Sequence, residues 1–176
     1  SGAKDWIGVF ALSAGFGSDE IVKRCKDDSN EYGAILTRAV CDRLTEAFAE
    51  YLHQEVRVRL WGYEAEGNAS ADDLLAGKYR GIRPAPGYPP CPNHSLKRHI
   101  WHILDVEERT GIKLTETGAM WPVASVSGFY FSHPGSKYFS VGKIGRDQLE
   151  DYAARNGVSD EEAEKELEPV LGYNRS

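Results

Sequence analysis

The chain has 176 residues, 41% of them hydrophobic, and a net charge of −6, which suits one domain burying on the order of 70% of its unfolded surface. Acidic balance without any basic run excludes a nucleic-acid surface, which needs clustered Lys and Arg, and favours cations or basic patches as partners. Three cysteines without a short-spaced pair make no disulfide framework, and no apolar stretch approaches the ~20 residues of a membrane span, so the reading is a cytoplasmic protein without a membrane partner. There is no initiating Met, and Ser1-Gly2 reads as native sequence or a cloning remnant, as in a fragment of something larger.

Trp6 to Leu12 is a continuous apolar run closed by Ser13-Ala14-Gly15-Phe16-Gly17, which predicts a central strand buried on both faces. Ser18 is the predicted cap of a short helix to about Lys26, broken by Asp27 to Asn30. From about Tyr32 to Trp61, Leu36, Val40, Leu44, Ala47, Phe48, Tyr51, Leu52, Val56 and Leu60 recur at the spacing of an amphipathic helix. Gly67 to Ala76 reads as a polar connection.

Beyond the proline-rich loop, a second helix is predicted from about Ser95 to Arg109, with Leu96, Ile100, Ile103 and Leu104 inward and Gly111 stopping it. Leu114 to Met120 reads as a strand. Val126 to Ser132 and Tyr138 to Ile144 read as a hairpin closed by His133-Pro134-Gly135-Ser136. Two terminal helices follow, Asp147 to Asn156 and Ser159 to about Glu168, the latter opened by a Ser159/Glu162 capping box. The order predicts a single α+β domain with a mostly antiparallel, twisted sheet flanked by helices.

The most informative segment is Tyr79 to Pro92. Its prolines at 84, 86, 89, 90 and 92 fix φ and push their predecessors toward extended geometry, so neither helix nor central strand can run through. Gly87 permits a left-handed turn, Tyr88 offers an aromatic face, and Arg83 a planar fork suited to a carboxylate. Such a loop is preformed for recognition, with little entropy to lose on binding. Read from residues alone, Pro86-x-x-Pro89 also satisfies the minimal polyproline-ligand pattern.

Arg83-Pro84-Ala85-Pro86-Gly87-Tyr88-Pro89 resembles the S-adenosylmethionine-binding loop of the activation domain of cobalamin-dependent methionine synthase. The resemblance continues through Asp42 to Glu50, Leu114-Thr115-Glu116, Ala119 to Pro122, Ser125 to Gly128, Tyr130-Phe131-Ser132, Ser136-Lys137-Tyr138 and Leu171-Gly172-Tyr173. It implies that residues 1–176 are the C-terminal part of that domain, without its upstream half. It further implies binding of S-adenosylmethionine, with Arg83 on the methionine carboxylate, the backbone of Pro84, Ala85, Pro86, Gly87 and Tyr88 around the rest, and Tyr138 and Phe139 lining the site.

What the resemblance implies for function is reductive methylation. Cob(II)alamin on the cobalamin-binding module takes an electron from a flavodoxin-like donor and the methyl of S-adenosylmethionine, giving methylcobalamin and S-adenosylhomocysteine. No side chain of this chain is expected to act as a catalytic acid, base or nucleophile. An alternative is a free-standing reactivator of a separate corrinoid protein.

Asp42, Glu46 and Glu50 recur every four residues along one helix face, where like charges repel by a few tenths of a kcal/mol per pair. A solvated face with surface ion pairs is one reading; the resemblance implies the other, in which Asp42 and Glu46 dock on the cobalamin module. Cys91-x-x-His94 with His99-x-x-His102 offers zinc-like spacings, and a zinc-binding interaction domain is a remoter alternative. No second cysteine pair supports it, the zinc of the resembled enzyme belongs to another module, and His99 and His102 are read as surface histidines with His94 near the helix cap. Gly15-x-Gly17 lacks the third glycine of a dinucleotide fingerprint and is assigned no phosphate role.

Overall fold

Strand β1 (Gly8–Ser13) pairs antiparallel with β4 (Ser125–Tyr130), in a register running from Gly8 opposite Tyr130 to Ser13 opposite Ser125. The computed structural model describes residue 2, residues 4–67 and residues 69–175. Ser1 of the opening dipeptide and Asn68 of the polar connection lie outside the described residues.

The far edge of β4 is taken by the start of the proline loop. Ile82 and Phe131 exchange both backbone hydrogen bonds at 3.0 Å, and the Phe129 N–H donates to the Pro84 carbonyl at 2.9 Å. Gly128 makes this approach possible, because a Cβ there would stand 2.7 Å from the Pro84 oxygen and 2.9 Å from the Phe10 ring. With both edges of β4 engaged, no edge remains for Tyr138 to Ile144. The expected hairpin is therefore corrected: a turn does form at His133–Ser136, where the Ser136 N–H donates to the His133 carbonyl at 3.0 Å, but residues 138–143 are irregular and Ile144 bridges Leu171 instead.

Helices cover both faces of β1, as its apolar run predicts. Phe10 and Leu12 pack with Ala49, Val56 and Tyr130, while Val9 and Ala11 lie against Ile100, Val106 and Ile112. Its place in the sheet differs from expectation. β1 bonds only to β4 among the described residues, so it is an edge strand, and the Trp6 and Ile7 side chains ahead of it are exposed.

Helix α1 (Ser18–Asp27) starts after Gly17, which sits in left-handed geometry, so the N-cap is Gly17 and the Ser18 hydroxyl donates to the Gly15 carbonyl at 2.6 Å. Asn30 caps α2 (Glu31–Glu55) by accepting from the Gly33 N–H at 2.8 Å, and a π-helical turn, Val56–Leu60, completes the predicted length. The buried face of α2 is not the bulky one. Ala34, Thr45, Ala49 and His53 are buried, whereas Leu36, Val40, Leu44, Phe48, Tyr51 and Leu60 are exposed. Small residues let the helix sit close to the sheet, with Thr45 Oγ1 within 3.0 Å of the Ala124 carbonyl.

The polar connection holds a short helix, α3 (Ala71–Leu75), opened by a Ser70/Asp73 capping box. The second predicted helix is broken: a 3-10 turn, His94–Leu96, leads into α4 (Lys97–Leu104), Asp105 turns left-handed at φ 50°, and α5 (Val106–Thr110) follows. The single strand expected from Leu114 to Met120 is instead a small hairpin of β2 (Lys113–Leu114) and β3 (Met120–Trp121), closed by the Thr115 N–H donating to the Ala119 carbonyl at 2.8 Å and the Gly118 N–H to the Thr115 carbonyl at 3.0 Å. Helices α6 (Arg146–Asn156) and α7 (Asp160–Glu166) pack through Leu149, Ala153, Ala163, Leu167 and Leu171. The Ser159 hydroxyl accepts from the Glu162 N–H at 3.2 Å, the forward half of the expected cap.

Candidate functional site: a cleft floored by arginine

The proline loop is an ordered structure held from three sides. Internally, the Gly87 N–H donates to the Cys91 carbonyl at 2.7 Å and the Cys91 N–H to the Tyr88 carbonyl at 2.8 Å. At one side the Arg83 N–H donates to the Tyr138 hydroxyl at 2.8 Å, so the tyrosine reaches the loop without any strand pairing. At the other, the Val141 N–H donates to the Pro89 carbonyl at 3.2 Å. A Pro-rich segment with little backbone freedom and this many fixed points is rigid before any ligand arrives.

A cleft of about 230 Å³ opens between this loop and α2, lined by Phe10, Glu46, Ala49, Arg83, Pro84, Ala85, Tyr88, Pro90, Val126 and Tyr138. Five of the eight residues expected around a ligand, Arg83, Pro84, Ala85, Tyr88 and Tyr138, thus share one wall-to-wall space. Pro86 is fully buried behind it, and Gly87 holds the turn at φ 100°. Phe139 lies outside, lining a neighbouring cleft of about 460 Å³ that shares Pro84 and Pro90. The acidic stripe is divided by its surroundings: Asp42 is exposed and away from the cleft lining, Glu46 lines the cleft, and Glu50 turns inward to Arg83.

Arg83 is four-fifths buried and donates through Nη1 to Glu50 Oε2 at 2.8 Å and to the Tyr79 hydroxyl at 2.7 Å. Burial alone would lower its pKa, but Tyr79, Glu50 and Tyr138 together raise it, so the guanidinium stays charged. Behind this pair, Arg57 is wholly buried, donates to Glu64 at 2.7 Å and lies 3.8 Å over the Tyr79 ring. The hydroxyls of Tyr79 and Tyr130 are held above their ordinary pKa, and that of Tyr63 is pushed up to about 12, burial being the first cause in each. Protonated phenols around a fixed cation can bind and orient an anion.

His53 closes the floor, stacked on Tyr130 at 5.0 Å and edge-on to Tyr79 at 5.1 Å. Burial first, then Arg57 and Arg83, lowers its pKa from 6.5 to about 3. The folded protein therefore binds fewer protons at this site than the unfolded chain between those values, and stability falls as pH drops through that window. The slope from this group is at most about 1.4 kcal/mol per pH unit. Urea midpoints at pH 7 and pH 5 are expected to separate more in the parent than in His53→Gln. Equal separations would show that His53 does not titrate this way; the partly solvated His94, also lowered by burial and Lys97, adds only a small effect of the same sign.

Cys91, His94, His99 and His102 do not gather. Among the described residues no three His, Cys, Asp or Glu side chains form a group able to hold a metal ion, and His94 Nδ1 is instead 3.1 Å from Lys97 Nζ, beside Gly87. Cys25, Cys41 and Cys91 are free thiols. No described helix is long and apolar enough to cross a membrane.

Glu50 and Tyr79 hydrogen-bond Arg83 without lining the cleft, Arg57 lies against Tyr79, and Tyr63 meets His53; sequence reasoning assigns none of the four to the site. A signal was present: Glu50 and Arg57 are seven residues apart, two helical turns on one face, and Tyr79 precedes Arg83 by four.

Fold and cleft together define an α+β domain whose rigid proline loop and long helix enclose a cleft lined by a largely buried arginine. Residues 1–157 match the family described as vitamin B12 dependent methionine synthase, activation domain. The chain belongs to that family. It is similar, at 53% identity and a TM-score of 0.92, to the crystal structure of the MetH reactivation domain bound to AdoHcy. The match covers 96% of this chain and 52% of that one, so the chain spans about half the length of the solved relative.

Proposed function

We propose that this domain binds S-adenosylmethionine in the Arg83 cleft and docks on the cobalamin-binding module of a methionine synthase, reactivating it by reductive methylation. The observation that carries the reading is Arg83 itself: among the described residues both of its side-chain hydrogen bonds leave from Nη1, so Nη2 and Nε keep donors for a ligand carboxylate. The similarity to a reactivation domain bound to AdoHcy, the demethylated form of the same ligand, supports this choice.

Pro84, Ala85 and Tyr88 would hold the body of the ligand against Phe10 and Val126, and Tyr138 fixes the Arg83 backbone. Phe139, in the adjoining cleft, would meet the ligand only at its outer end. A corrinoid bound to the partner module would supply the methyl-accepting chemistry, with the reducing electron from a flavodoxin-like donor. This chain's part is to bind, orient and bring the methyl to the surface. Calorimetric titration with S-adenosylmethionine, on this chain and on one extended upstream, tests the reading. Absence of binding to both would refute it.

Asp42 and Glu46 are the proposed docking carboxylates. Neither has an ion-pair partner among the described residues, and replacing acids that repel along one face should leave stability unchanged or slightly raised. Asp42→Asn with Glu46→Gln is expected to slow reductive methylation in the full enzyme while barely altering methyl transfer from methyltetrahydrofolate to homocysteine. Because Glu46 also lines the cleft, Asp42→Asn alone reports docking without touching the ligand. A double variant several degrees less stable, yet reactivated at the parental rate, would make the stripe structural.

A further inference from the structure

We propose that Glu50 is a positioning residue for carboxylate recognition: it holds Arg83 by one nitrogen and so sets which edge of the guanidinium faces the cleft. The inference rests on the reading of that cleft as an S-adenosylmethionine site. Glu50 Oε2, the Tyr79 hydroxyl and Arg83 Nη1 form a closed triangle, with distances of 2.8, 2.7 and 3.2 Å.

The triangle is anchored away from solvent. Glu50 Oε1 is buried and has no hydrogen-bond partner; it faces the equally unpartnered Nη1 of Arg57 at 3.8 Å, and Arg57 is held by Glu64 and the Tyr79 ring. Glu50 therefore lies between two guanidiniums, one fixed in the core and one at the cleft. An arginine side chain has considerable rotamer freedom, and a fork ordered before binding loses less of it when the ligand arrives. Glu50 also has an opposing influence, since its charge repels an incoming carboxylate. That repulsion is offset by Arg57, whereas nothing else on α2 fixes the direction of Arg83.

Two substitutions separate these influences. Glu50→Gln keeps an oxygen that can accept from Nη1 but removes the charge, and Glu50→Ala removes both. Titration of the whole polypeptide carrying this sequence uses two ligands: S-adenosylmethionine and its decarboxylated form, which keeps the sulfonium and adenosine but has no carboxylate. Glu50→Ala is expected to weaken S-adenosylmethionine binding about tenfold, the scale of losing one charge-assisted contact, and Glu50→Gln much less. Neither should change affinity for the decarboxylated ligand, which also verifies that the variants are folded.

Tighter or unchanged binding of S-adenosylmethionine by Glu50→Ala would overturn the positioning role, as would an equal loss for both ligands. A parent protein that binds the two ligands equally would overturn the carboxylate role of Arg83 first, and the role of Glu50 with it.

Discussion

Arg83→Ala is expected to weaken S-adenosylmethionine binding by about 1.5–3 kcal/mol, the range for removing a hydrogen bond to a charged group. The position of Arg83 explains why the loss should fall on binding. Its guanidinium lies on the cleft floor between Glu50 and Tyr79, and its backbone is tied separately, through the N–H to Tyr138 and through the neighbouring Ile82 to Phe131. Truncating the side chain therefore leaves the loop in place. Glu50 loses one partner but keeps Tyr79 and the attraction of Arg57, so the melting temperature should change little. Lys at 83 should recover only part of the affinity, because an ammonium cannot present two parallel donors to a carboxylate. Calorimetry on a chain that includes the upstream half measures all three proteins, and an Ala variant binding as tightly as the parent would remove Arg83 from the site.

The proline loop was legible because its determinants are local. Fixed φ at each proline and a required turn at Gly87 act whatever packs around them, and the structure shows an ordered loop there. Helix α2 was legible in extent, but its buried side was not. Periodicity finds a face, and bulky residues were the natural choice for it; the sheet instead accepts Thr45, Ala49 and His53, because close approach favours small or polar-satisfied side chains. The hairpin at Val126 to Ile144 failed for a related reason. Each run can pair as a strand, but which partner β4 takes is decided by β1 and residues 82–84, distant in sequence. In the sequence Glu50 is only the third member of an acidic stripe, and its meeting with Arg83, 33 residues on, is what distinguishes it from Glu46.

Gly87→Val is expected to disturb the cleft more than other single changes in the loop, for two independent reasons. The first is backbone: Gly87 has φ 100°, outside the regions open to a β-branched residue, and holding it there costs about 1–3 kcal/mol. The second is contact. A Cβ at this position would stand 2.2 to 2.7 Å from three atoms of the His94 ring, which is tethered through Nδ1 to Lys97, itself donating to the Gly118 carbonyl at 2.8 Å. The ring can swing outward, since His94 is exposed, but the φ requirement cannot be relieved that way. The loop must then reorganise around Pro86 and Tyr88, and S-adenosylmethionine affinity should drop at least as far as in Arg83→Ala. His94→Ala combined with Gly87→Val separates the two causes: it removes the clash and should restore part of the binding, leaving the backbone contribution. Full recovery in the double variant would mean that the steric contact alone matters, and parental affinity in Gly87→Val itself would mean that the turn at 87 does not shape the site.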